Sequence, residues 1–155
     1  MTKRDRGRPW PTLTLSLALA ASACINEDVL LYELDLRGQV TVADGLPASG
    51  RLQLELHHAE GGAGRFAHPL GLFAEYADVG APGDTLELGA RVPTDDGTGL
   101  VVYAWLDVDG DGILCALGVS DEPAGLVELT DFPAHALEFS LVLASPCAGP
   151  EALYP

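Results

Sequence analysis

Arg51-Leu52-Gln53-Leu54-Glu55-Leu56-His57 sets three leucines on one side of an extended chain and four polar residues on the other. Side chains alternate faces along a strand, so this period of two marks a strand with one buried face. The same device recurs outward from it. Over residues 85–92, Leu86, Leu88, Ala90 and Val92 face inward while Thr85, Glu87 and Arg91 face out. Leu137, Phe139, Leu141 and Leu143 oppose Glu138 and Ser140 over residues 136–143. Nearer the start, Tyr32, Leu34 and Leu36 alternate with Glu33 and Asp35, and Val40 and Val42 continue after Gly38.

Leu100-Val101-Val102-Tyr103-Ala104-Trp105-Leu106 breaks the alternation, being apolar throughout, as a central strand covered on both faces should be. Turn signals separate these runs: Asp44-Gly45, Gly61-Gly62, Pro82-Gly83-Asp84, Asp95-Asp96-Gly97 and Pro123-Ala124-Gly125. Short strands so punctuated predict an all-β domain, an antiparallel β-sandwich of about seven strands over residues 29–147. Residues 69–79 fit two readings, since Leu70, Phe73 and Ala77 also suit a short helix. Residues 148–155 read as a frayed tail. The expected sandwich is Ig-like or transthyretin-like, and over residues 30–145 the pattern resembles the transthyretin-like or carboxypeptidase-regulatory-like domains of bacterial surface proteins. The resemblance implies an accessory or binding module and no reaction.

The first 24 residues are of another kind. Lys3, Arg4, Arg6 and Arg8 stand against one acid, Asp5, and Leu13 to Ala20 (LTLSLALA) is apolar but too short for a permanent membrane span. Residues 1–23 thus read as an export signal. Ala21-Ser22-Ala23 fits ordinary secretory cleavage before Cys24, which would give a soluble periplasmic or secreted protein. Ala20-Ala21-Ser22-Ala23-Cys24 also resembles the lipobox of bacterial lipoproteins, with Ala21 where that family usually has leucine. That resemblance implies that Cys24 is acylated, that residues 24–28 are a tether, and that the protein sits on the bacterial envelope, on the outer membrane or cell surface. Two or more acyl chains hold a protein on a membrane stably.

Cysteine arithmetic bears on the choice. The chain has three, Cys24, Cys115 and Cys147. Acylating the first leaves an even pair for an oxidising compartment, which predicts a Cys115–Cys147 disulfide; the alternative is two buried free thiols.

Removal of residues 1–23 leaves four arginines, no lysine and 22 acids in 132 residues, a net charge of −18. Such a surface cannot neutralise phosphates, which excludes nucleic acid as a partner. Anionic headgroups would repel it as well, so membrane attachment falls to the acyl chains. The acidity suits divalent cations.

Asp107-Val108-Asp109-Gly110-Asp111-Gly112 concentrates it. Three carboxylates at alternate positions can wrap oxygens around one hard cation, and glycine permits the sharp reversal. The segment resembles the first half of a D-x-D-x-D-G calcium loop. That resemblance implies Asp107, Asp109 and Asp111 as side-chain ligands of Ca2+ and the Ile113 carbonyl as a backbone ligand. The twelfth position, where an EF-hand has glutamate, is Gly118, and the ninth is Cys115, so completion falls to other residues, with Asp121 and Glu122 the nearest acids. The competing reading is an Asp/Gly turn between strands.

Other motifs carry less. His57 and His58 adjoin on a strand and point to opposite faces, so they cannot share a metal. No G-x-S-x-G elbow, H-E-x-x-H pair or phosphate-cradling glycine loop occurs. The functional expectation is therefore a non-enzymatic, lipid-anchored envelope module that binds a ligand, a glycan or another envelope protein, or is simply structural and stapled by calcium. The alternative is an exported hydrolase whose carboxylates converge only in the fold.

Overall fold

The computed structural model describes residues 31–60, 67–93, 99–116 and 121–153. The export signal, Cys24, the tether and the Asp95-Asp96 turn lie outside the described residues. Among the described residues, eight strands and one helical turn follow in chain order: β1 (Leu31–Val42), β2 (Arg51–Glu60), β3 (Ala67–Tyr76), β4 (Thr85–Pro93), β5 (Gly99–Asp107), β6 (Pro123–Glu128), β7 (Ala136–Leu143), β8 (Ser145–Pro146) and α1 (Pro150–Leu153). They form an all-β sandwich, with a three-stranded sheet in the order β4-β1-β7 and a five-stranded sheet in the order β3-β2-β5-β6-β8.

The alternating residues meet between the sheets. Leu34, Leu36 and Val40 of β1, Leu86 and Val92 of β4, and Leu137, Phe139, Leu141 and Leu143 of β7 face Leu52, Leu54 and Leu56 of β2 and Leu100, Val102, Ala104 and Leu106 of β5. The three leucines of β2 are fully buried, and burying each contributes about 1.5–3 kcal/mol. Gly38 has a steric reason within this core. It pairs with Phe139 on β7, and a Cβ there would come within 2.4 Å of the phenylalanine ring.

All nine residues of β5 are buried, as its unbroken apolar run predicts. The outer face of the five-stranded sheet carries a second, smaller cluster of Tyr103, Trp105 and Ala124, against which Leu114, Leu126 and Leu153 pack. That face also carries a buried histidine. His57 Nε2 lies 2.7 Å from Glu55 Oε2, its ring meets Tyr103 edge-on, and among the described residues its Nδ1 has no hydrogen-bond partner.

Of the two readings open for residues 69–79 the strand holds, as β3, paired with β2 through a register shift after Leu56. Two details depart from the sequence expectations. The tail is partly ordered, since α1 follows β8 and Leu153 packs on the outer cluster. One ladder is parallel: β1 and β7 run together from Asp35↔Ala136 to Val42↔Leu143, whereas every other pair is antiparallel. Alternation reports which face of a strand is buried and is silent on direction. Here β7 arrives from β6 in the opposite sheet and enters beside the start of β1, where the Asp35 amide donates to the His135 carbonyl at 2.7 Å.

Candidate metal centre

β5 ends at Asp107, and the chain reverses over residues 108–116 before re-entering the sheet at β6. Gly110 and Gly112 take φ of 81° and 76°, a conformation that costs glycine little and other residues more. The aspartates organise the loop by accepting from its own amides. Asp107 Oδ1 accepts from Gly110 N at 2.7 Å and its Oδ2 from Gly112 N at 3.1 Å. Asp109 Oδ1 accepts from Asp111 N at 3.0 Å, and Asp111 Oδ1 from Ile113 N at 2.8 Å. Side-chain oxygens capping amides a few residues on is the habit that favours aspartate in turns.

Glu122 completes the centre from outside the loop. It is fully buried. Its Oε1 accepts from Val108 N at 2.9 Å and its Oε2 from Cys115 N, so one carboxylate clasps both ends of the loop. Its carbonyl accepts from Cys147 N at 2.9 Å, and the Tyr103 hydroxyl donates to the Ala148 carbonyl at 2.9 Å, which ties the C-terminal segment to the same place. Cys115 and Cys147 stand there at disulfide distance, with Cα atoms 5.4 Å apart.

The carboxylates of Asp107, Asp109 and Glu122 each place an oxygen within 4.8 Å of the others. Calcium–oxygen distances are about 2.3–2.6 Å, so two ligands of one ion lie at most about 5 Å apart, and this triad satisfies that bound. The donors are all carboxylate oxygens, a set that suits a hard cation and disfavours zinc. Asp107 and Glu122 are buried while Asp109 is exposed, which leaves the group open on one side.

Of the three side-chain ligands expected from the loop pattern, the fold thus brings together two, Asp107 and Asp109. Asp111 is exposed at the loop tip and stands outside the triad, and Ile113 is exposed beside it. Glu122 takes the third place. The signal that separates it from its neighbour Asp121 is strand parity. Residues 122, 124 and 126 share one face, and Ala124 and Leu126 belong to the outer cluster beneath the loop. Asp121 is exposed, with φ of 83°.

No protein-family model matches the chain, and no curated protein matches it in sequence. Among solved structures, the alternative pilotin of the type II secretion system of Vibrio cholerae is similar over 76% of this chain and 99% of its own, at 10% identity and a TM-score of 0.44. That likeness is partial and of shape only, and bears on no residue of the acidic centre. No helix among the described residues is long and apolar enough to cross a membrane.

Proposed function

We propose that the protein is a non-enzymatic module of the bacterial cell envelope, carried out by residues 1–23, held to a membrane by acyl chains on Cys24, and stapled by calcium at one end of its sandwich. The observation that carries the calcium reading is the convergence of Asp107, Asp109 and the fully buried Glu122. Three carboxylates this close repel one another. Backbone N–H groups offset part of that repulsion, and a divalent cation on the open side would offset the rest. Both oxygens of Asp107 and of Glu122 are committed to amides, an arrangement that holds anions in place and supports a structural role over acid–base chemistry. A Cys115–Cys147 disulfide would join the loop to the C-terminal segment, in keeping with an oxidising compartment.

The anchoring part of this reading is tested by fractionation. Cys24→Ser should move the protein from the membrane to the soluble fraction and abolish incorporation of labelled fatty acid. Unchanged membrane partitioning of that variant would refute acylation at Cys24.

A further inference from the structure

On the outer face of the three-stranded sheet lies a groove of about 650 Å³, in the opposite sheet from the acidic loop. Its floor is one register row, Gly89 on β4, Asp35 on β1 and Ala136 on β7. Only the middle position carries a side chain larger than methyl. The next row, Glu87, Arg37 and Glu138, forms one wall, and Glu33 with Arg91 lies on the other side. Same-face residues along a strand are about 6.6–6.8 Å apart, so the flanking rows stand about 13 Å apart and leave a trench across three strands.

Gly89 is the telling residue. It interrupts a nine-residue strand, where glycine weakens the strand and removes a packing surface. Unlike Gly38, whose Cβ would strike Phe139, or Gly125, whose Cβ would strike the Val142 carbonyl at 2.4 Å, a Cβ on Gly89 would meet nothing within 4 Å. Nor is it among the residues of positive φ. Its carbonyl accepts from the Tyr76 hydroxyl at 2.8 Å, but the space its side chain would occupy is open, and a glycine within a strand often marks a place where a ligand or another backbone approaches closely.

The chemistry of the lining indicates what that is. The groove holds three acids, Asp35, Glu87 and Glu138, against Arg37, whose Nε lies a long 3.9 Å from Glu87. Among the described residues the carboxylates of Asp35 and Glu138 have no ion-pair partner. The chain after residue 23 carries −18 and no lysine, so a second copy would be repelled and a cationic partner attracted.

We propose that this trench is a docking groove for a basic polypeptide, which lays an arginine or lysine side chain over Gly89 and Ala136 onto the Asp35 carboxylate. Titrating a hexa-arginine peptide into the purified full-length protein, with millimolar calcium present, tests it. Asp35→Asn removes the acceptor, and Gly89→Val fills the trench without changing charge. Each should weaken binding about tenfold, as for the loss of one charged hydrogen bond. Ala136→Val, which narrows the trench from the other side, should act in the same direction. Glu75→Gln removes the same charge from an exposed site on β3 and should change affinity less than about twofold. Equal losses for Glu75→Gln and Asp35→Asn, or full binding by both valine variants, would overturn the proposal in favour of diffuse electrostatic attraction.

Discussion

Two glycines on adjacent strands show how one residue type answers different demands. Gly38 leaves room for the Phe139 ring within the core, so Gly38→Ala overpacks it and should cost about 1–3 kcal/mol in denaturant unfolding. Gly89 faces open space, so Gly89→Val should stabilise by about 0.5–1 kcal/mol, as a residue with better strand propensity replaces glycine. A lower midpoint for Gly89→Val would contradict this account of the position. Tyr103 makes a different case. Its burial, added to by the Glu55 and Glu122 carboxylates, holds the phenol well above its ordinary value of 10.0. The unfolded chain then loses that proton first, so stability present below pH 10 declines as pH rises above it. Tyr103→Phe should flatten the alkaline limb of midpoint against pH, leaving the smaller contribution of Tyr76, also raised by burial. An unchanged limb would show that Tyr103 does not govern it.

Among the elements, the strands were the most legible part. The alternation of β2, β4 and β7 named the core leucines correctly, and the apolar run of β5 announced burial on both faces, because burial is what those periods encode. Less was readable where the outcome depends on partners distant in sequence. The parallel pairing of β1 with β7 follows from the route between sheets, and β3 is a strand because β2 offers it an edge, despite a spacing of Leu70 and Phe73 that also suits a helix. The acidic loop shows the same division. Its Asx turns and glycine reversals are local and were visible in Asp107 to Gly112, whereas the third carboxylate, Glu122, depends on the face that β6 presents to β5. The pair Cys115 and Cys147 closes the arrangement across a separation of 32 residues. On the chain-entropy account a bridge there stabilises by about 3–4 kcal/mol, so the double serine variant should lose that much in denaturant unfolding. Two free thiols titrated in the unreduced, unfolded protein would refute the bridge.

At the scale of the whole molecule, the 132 residues after residue 23 carry −18 and must hold together against their own charge. The sandwich core does most of this, but its acids are not evenly spread, and the end of β5 gathers three carboxylates within 4.8 Å of one another. Calcium bound there would tie together β5, the loop and the entry to β6, and through Cys115 and Cys147 the C-terminal segment. The affinity expected of an extracellular calcium module is about 10⁻⁴–10⁻³ M, weak enough for the ion to be removed by chelation. Thermal unfolding in calcium and in chelator is therefore the most direct measurement. At about ten times the dissociation constant, calcium should stabilise the wild type by about 1.4 kcal/mol, a rise of a few degrees in midpoint. Asp109→Asn, altered at the exposed member of the triad, should lose that rise and keep the midpoint seen in chelator. Identical midpoints for the wild type in calcium and in chelator would contradict the calcium centre and return the loop to a turn held by its own amides.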